Sequence, residues 1–129
     1  MKKRWLHKFL AKWLPAIFWS VLVFVLSSLP GADFSENPGS DFAVRKILHV
    51  LEYMVLMLTY YRGSKDIGFS VLACIIFAFT DEAHQTFIPT RTGKVSDVLI
   101  DSFAVSAMGI ILWKYYQNLP RKLKKWLEE

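Results

Sequence analysis

Hydrophobic residues run through the chain in four long stretches, which are separated by short polar segments. The stretches cover approximately residues 13–29, 44–61, 67–87 and 95–116. About 20 residues of α-helix cross a hydrocarbon core roughly 30 Å thick, so each stretch has nearly the length of a membrane span. The first stretch contains no charged residue, whereas each of the others contains two or more. The pattern predicts an all-α, polytopic membrane protein in which four transmembrane helices form one bundle.

The segments between and beside these stretches are polar, and their composition predicts their structure. Residues 30–43 are rich in Gly, Pro, Ser, Asp and Asn, which predicts an irregular loop. The tail, residues 117–129, fits either a short amphipathic helix on the inner leaflet or a solvated charged tail. The basic N-terminus before an apolar stretch resembles a signal peptide. That stretch is long for a signal and no A-x-A site follows it, which favours a retained membrane helix.

The distribution of basic residues predicts the orientation of the helices. Twelve of the sixteen lysines and arginines lie in residues 1–12, in the turn after the second stretch, or between residues 114 and 125. Such residues are enriched on the cytoplasmic side of membrane proteins. Both termini are therefore expected to be cytoplasmic, and residues 30–43 and 88–95 to form the outward connections. The four remaining basic residues are Arg45, Lys46, Arg91 and Lys94.

Composition agrees with a membrane protein of one domain, residues 1–129. The chain is 53% hydrophobic, above the roughly 45–50% typical of soluble domains. Its net charge of +5 comes from bases beside apolar stretches, so membrane lipid is the expected partner and nucleic acid is not. The single cysteine, Cys74, excludes an intramolecular disulfide. The oligomeric state is left open by the sequence.

Polar residues occur at similar depths in three of the predicted helices. At 1.5 Å per residue, His49, Asp81 and Asp101 lie about 18 to 21 Å from the cytoplasmic ends of their helices. An ionisable group at such a depth costs a few kcal/mol, so these groups should face the bundle interior and pair with one another. Lys46, His49 and Tyr53 have the spacing of one helix face. The sequence therefore predicts a polar pocket that opens to the outside.

The alternative is a polar network that only fixes the register of the helices. The ionisable residues are many for so small a bundle and gather towards one side, which favours a ligand-binding pocket. His84 is instead expected to point at lipid headgroups without a role. The predicted ligand-binding residues are Lys46, His49, Tyr53, Asp81, Glu82, Gln85, Arg91, Asp97 and Asp101.

The letters DEAH at residues 81–84 also name a helicase motif, but that chemistry is excluded. It requires a phosphate-binding G-x-x-x-x-G-K-[ST] loop, which the chain lacks. "HVLE" and "DEAH" each place a histidine and a carboxylate three residues apart, as Glu-x-x-His does in metal-binding bundles. The first pair has the reverse order and the number of ligands is unspecified. We therefore predict neither a metal site nor a cofactor.

Two segments together resemble the VanZ-like family of membrane proteins. "KILHVLEYMVL" contains K-x-x-H-x-x-x-Y, and "FTDEAHQTFIPTRTGKVSDVLID" contains D-E-x-x-Q-x-F-x-P-x-R followed by S-D. The resemblance covers residues 26–109, and "LSSLP" at residues 26–30 belongs to it. Two positions depart from the family pattern: Asp101 stands where Asn is usual, and Ala104 where Gly is usual. An extra acid would favour a cation or an additional internal ion pair.

The resemblance implies a small multi-pass protein of the bacterial cytoplasmic membrane, in a family whose founding member is linked to teicoplanin resistance. We expect an envelope protein whose pocket binds a lipid-linked cell-wall precursor or a glycopeptide-type ligand. Arg91, Lys46 and Arg45 would contact phosphate or carboxylate. The acids Asp81 and Glu82, with their neighbours, would orient hydroxyl or ammonium groups.

The alternative is a membrane-embedded enzyme, either a hydrolase or a headgroup transferase, that acts on a lipid or a lipid-linked cell-wall substrate. Its candidate catalytic residues are His49, as base or nucleophile, and Asp81 or Glu82, as acid or orienting group. No nucleophile elbow or zincin motif supports this hypothesis. The hypothesis of a proton relay is weaker still. The acids gather on the outer side, and the third predicted helix is largely apolar between Asp81 and its cytoplasmic end.

Overall fold

A computed structural model of the protein describes residues 2–29, 38–89 and 93–129, and all regular structure within these ranges is helical. Among the predicted site residues, Arg91 lies outside the described residues, as does most of the predicted loop at 30–43. The all-α prediction is confirmed. The helices are α1 (Lys2–Ser28), α2 (Pro38–Ser64), α3 (Ile67–Gln85), α4 (Val95–Tyr115), a 3-10 turn (Tyr116–Asn118) and α5 (Arg121–Glu128).

Two helices begin earlier than the hydrophobic pattern predicts. α1 begins at Lys2 rather than near residue 13, because the basic segment consists of good helix formers without Gly or Pro. α2 begins at Pro38, so residues 38–43 are helical and the prediction of an irregular loop is wrong there. Proline is favoured at the first helical position. The carboxylate of Asp41 in the first turn stabilises the helix by interacting with the positive end of its dipole.

Three of the helical segments are long and apolar enough to cross a membrane. They are Arg4–Ser28, Ile67–Gln85 and Val95–Asn118. α2 is as long as α1, at 27 residues, but it is not among them. The difference follows from composition, because α2 carries Arg45, Lys46, Glu52 and Arg62 in addition to Asp41.

The two faces of α3 show the arrangement expected of a helix surrounded by lipid. Its buried side consists of small and polar residues: Ser70, Cys74, Ala78, Asp81, Glu82 and Gln85. Four of its large apolar side chains point outward and are more than half exposed: Phe69, Leu72, Ile76 and Phe79. In water this exposed apolar surface would be unfavourable, whereas lipid chains are as apolar as leucine. The helix therefore holds most of its polar groups, including both acids, inside the bundle.

α2 is the central element and packs against α1, α3, α4 and α5. Its side chains Tyr53, Leu56 and Met57 are fully buried in the core. α4 packs closely against α3 at Gly109, where a Cβ atom would lie 3.0 Å from Cγ2 of Val71. Small residues at such positions let helix backbones pack tightly in membranes. Because α2 is surrounded by four other helices, its polar side chains can face protein instead of lipid.

The buried guanidinium of Arg62 holds three helices together at the end of the bundle where α2 ends. Pro15 has no N–H, so the carbonyl of Ala11 lacks its usual donor within α1. Arg62 Nη1 donates to that oxygen at 2.9 Å, and Nε donates to the Trp126 carbonyl of α5 at 2.8 Å. Leu127 of α5 is buried in the core. The tail thus contains a helix that is docked on α2.

Candidate functional site

One face of α2 carries three polar side chains that descend from the surface into the core. Lys46, His49 and Tyr53 lie at i, i+3 and i+7, the spacing of one helix face. The side chains of Lys46 and His49 are 22% and 21% exposed, whereas Tyr53 is 0% exposed. The face therefore leads from a partly accessible lysine to a tyrosine that is fully enclosed.

α4 presents a matching pair of carboxylates one turn apart. The side chain of Asp97 is 22% exposed and forms an ion pair with Lys46 of α2 through Oδ1. Asp101 is 2% exposed, and its Oδ1 atom lies 3.9 Å from His49 Nδ1. The two helices therefore meet through two polar layers, an outer one formed by Lys46 and Asp97 and an inner one formed by His49 and Asp101.

α3 contributes Asp81, whose two carboxylate oxygens both accept hydrogen bonds. The Ser27 hydroxyl of α1 donates to Oδ1 at 2.5 Å, and the Gln85 side-chain amide donates to Oδ2 at 3.1 Å. All three side chains are buried. Asp81 therefore ties the end of α1 to α3, and each of its oxygens already has a donor within the protein.

Glu82, the neighbour of Asp81, uses only one of its two oxygens. Its Oε2 atom accepts a hydrogen bond from the backbone N–H of Lys94 at 3.1 Å. Its Oε1 atom is buried and has no hydrogen-bond partner among the residues that the structure describes. The same holds for Oδ2 of Asp101 and for the hydroxyl of Tyr53. Buried polar atoms in proteins are nearly always hydrogen-bonded, so three such oxygens require an explanation.

These side chains belong to one electrostatically connected group, which we call the polar cluster. Tyr53 interacts with the charges of Asp81, Asp101 and Glu82, and Asp101 interacts with those of Glu82 and Lys46. Side chains from four helices, α1 to α4, are thus brought together. The members of the polar cluster are Ser27, Lys46, His49, Tyr53, Asp81, Glu82, Gln85, Asp97 and Asp101.

Eight of the nine predicted ligand-binding residues lie in the polar cluster, and the ninth, Arg91, lies outside the described residues. Their role in binding stays a prediction. Arg45, expected to contact an anion, forms an ion pair with Asp41 one turn earlier, at 2.8 Å. Within the described ranges, no three histidine, cysteine, aspartate or glutamate side chains are arranged so that they could hold a metal ion.

Two neighbouring side chains differ from the sequence-based expectations. Ser27 was not predicted as a site residue, although "LSSLP" was the signal that pointed to this region. His84, expected at the headgroups, instead packs its ring against Phe24 of α1, with 4.3 Å between the ring centroids. The end of α1 therefore covers α3 more closely than helix periodicity alone indicates.

The replacement Gly93→Ala is expected to lower the melting temperature of the purified protein by several degrees. The new Cβ would collide with the Glu82 carbonyl oxygen and lie 2.8 Å from Cγ2 of Thr86. Backbone would have to move, which costs about 1–3 kcal/mol and draws the Lys94 N–H away from Glu82. The matched control is Gly68→Ala, whose Cβ makes one ordinary contact at 3.4 Å. Equal melting temperatures for the two variants would contradict the close approach at Gly93.

A protein-family model described as VanZ/LLP1 matches residues 4–117 of this chain. The match covers all four long helices and the complete polar cluster. No curated protein and no solved structure shows significant similarity to the chain.

Proposed function

Because the chain belongs to the VanZ/LLP1 family, we propose that it is a bacterial cell-envelope protein whose polar cluster binds a polar group of an envelope ligand. The observation that supports this is the set of three buried oxygens, on Tyr53, Glu82 and Asp101, without partners among the described residues. An unsatisfied buried polar atom costs about 1–3 kcal/mol. A ligand that donates hydrogen bonds to these oxygens would recover that free energy.

The proposed topology has four membrane spans, with α2 as the fourth, and both termini in the cytoplasm. The charges of α2 are compatible with a span because Lys46 pairs with Asp97 and Arg62 donates to carbonyl oxygens. Charged groups in membranes are tolerated when they are paired inside a bundle. The excess of lysine and arginine near the termini supports this orientation. The polar cluster then lies in the outer half of the membrane of a multi-pass cytoplasmic-membrane protein.

The proposed ligand is a lipid-linked cell-wall precursor or a glycopeptide, since both are found at the outer leaflet. The partly exposed ion pair between Lys46 and Asp97 marks the side from which a ligand would enter. Binding there would sequester either the precursor or the antibiotic, and so reduce the access of teicoplanin to its target. Resistance to teicoplanin is therefore the proposed phenotype.

The test is expression of the chain in a teicoplanin-sensitive bacterium, with Glu82→Ala and Arg91→Ala beside the wild type. Both variants are expected to reduce the minimum inhibitory concentration to that of cells with the empty vector. Glu82 contributes a buried acceptor, and the guanidinium of Arg91 is suited to bidentate contacts with phosphate or carboxylate. Glu129→Ala, a change at an exposed carboxylate, is the control. Full resistance in both site variants, at equal expression, would overturn the proposed function.

The enzymatic alternative has no comparable support in the described residues. The carboxylate that lies near His49 Nδ1, at 3.9 Å, belongs to Asp101, not to Asp81 or Glu82. Both oxygens of Asp81 are occupied by hydrogen bonds from Ser27 and Gln85. These contacts suit a binding cluster, and no catalytic step is proposed from them.

A further inference from the structure

The polar cluster contains more acidic than basic side chains among the residues that the structure describes. The cluster contains the carboxylates of Asp81, Glu82, Asp97 and Asp101. Its lysine, Lys46, forms an ion pair with Asp97. Within residues 2–29, 38–89 and 93–129, neither lysine nor arginine forms an ion pair with the other three carboxylates. A buried carboxylate without a cation is costly, so the cluster is suited to a ligand that brings positive charge.

The unpartnered atoms indicate which kind of positive group would fit. Oε1 of Glu82 and Oδ2 of Asp101 are carboxylate oxygens, which only accept hydrogen bonds when ionised, and the Tyr53 hydroxyl can accept as well. All three side chains are less than a tenth exposed. A phosphate or carboxylate would place further acceptors and negative charge beside these three oxygens, which is unfavourable. A group with several N–H donors and a positive charge satisfies both requirements.

We infer, building on the proposed function, that the ligand presents a primary alkylammonium group to Glu82, Asp101 and Tyr53. An alkylammonium carries three N–H donors on one nitrogen, which matches the number of unpartnered oxygens in the cluster. A trimethylammonium group carries the same charge and has no N–H. The structure thus assigns recognition to hydrogen bonds as well as charge. The ammonium group belongs either to the headgroup of a lipid or to a soluble amine.

The inference is tested by native mass spectrometry of the full chain with three lipids that share the same acyl chains. The lipids are phosphatidylethanolamine, with a primary ammonium, phosphatidylcholine, with a trimethylammonium, and phosphatidylglycerol, with no cation. Phosphatidylethanolamine is expected to bind with about ten-fold or higher preference, since charge-assisted hydrogen bonds are lost with the other two. Added ethanolamine distinguishes the two sources: displacement of the lipid assigns recognition to the free amine, and persistent binding assigns it to the lipid.

Substitutions in the polar cluster test whether the ammonium group binds there. Glu82→Gln, Asp101→Asn and Tyr53→Phe preserve side-chain shape and should each reduce the preference. Glu129→Gln makes the carboxylate-to-amide change at an exposed residue and should not. Melting temperatures of all variants separate loss of binding from loss of folding, and Tyr53→Phe removes only a hydroxyl.

Different outcomes overturn different statements. Equal binding of the three lipids that is lost in Glu82→Gln would overturn the ammonium inference and leave the proposed function intact. A preference for phosphatidylethanolamine that persists in all three site variants would also overturn it, because the ammonium would then bind elsewhere. The proposed function is judged separately, by the resistance of cells that carry the Glu82 and Arg91 variants.

Discussion

Replacement of Arg62 by methionine is expected to lower the free energy of unfolding by about 3 kcal/mol or more, since each hydrogen bond to a charged group contributes roughly 1.5–3 kcal/mol. The guanidinium donates to the carbonyl of Ala11 in α1 and to that of Trp126 in α5, and it lies 5.0 Å from the centre of the Trp126 ring. Methionine fills similar space but donates to neither oxygen. The Ala11 carbonyl is then left without a donor, because Pro15 cannot supply one.

Unfolding of the purified protein by heat or denaturant in mild detergent measures this effect. Arg121→Met is the matched control, since Arg121 is exposed at the start of α5 and its loss should cost less than about 1 kcal/mol. Pro15→Ala supplies an N–H to the Ala11 carbonyl, so it should partly rescue Arg62→Met. Equal losses in the two arginine variants, or no rescue by Pro15→Ala, would contradict the role assigned to Arg62.

Glu82→Gln and Asp81→Asn are expected to change stability in opposite directions, although the two acids are neighbours. Both oxygens of Asp81 accept hydrogen bonds, and an amide has no charge and only one acceptor oxygen, so the two bonds weaken or one is lost, which should cost about 1–3 kcal/mol. Glu82 leaves one buried oxygen unpartnered among the described residues, so neutralising it should stabilise the ligand-free protein by about 1 kcal/mol. Binding sites often lower the stability of the ligand-free protein in this way.

The comparison requires delipidated protein, because a bound ligand would stabilise the wild type and hide the effect. Melting curves of the wild type, Asp81→Asn, Glu82→Gln and the control Glu129→Gln should be recorded under the same conditions. A stability loss in Glu82→Gln as large as that in Asp81→Asn would indicate that both acids only fix the register of the helices. That result would favour the structural alternative over a binding cluster.

Helix periodicity and the cost of buried charge were sufficient to predict most of the polar cluster. Lys46, His49 and Tyr53 share one face of α2 because of their spacing, and that face must turn inward where lipid surrounds the bundle. Similar depths were also predicted for His49 and Asp101, and their side chains lie 3.9 Å apart between α2 and α4. The ion pair between Lys46 and Asp97 lies one turn away on the same two helices.

Contacts that depend on the tertiary arrangement could not be predicted from one sequence. Pro15 indicates that a carbonyl in α1 lacks a donor, but nothing in the pattern names Arg62 as its replacement. Ser27 donates to Asp81 because α1 crosses α3 at that point, and His84 packs on Phe24 for the same reason. Helix periodicity gives the face of a residue, whereas the crossing of helices decides which neighbour that face meets.

Native mass spectrometry of protein purified from bacterial membranes shows whether the polar cluster holds a ligand. The wild type should be compared with Glu82→Gln and His49→Ala, with Glu129→Gln as control. We expect a defined extra mass on the wild type and the control, and its loss from both cluster variants. A wild-type protein without bound mass, or a mass that both cluster variants retain, would contradict a ligand site at these residues.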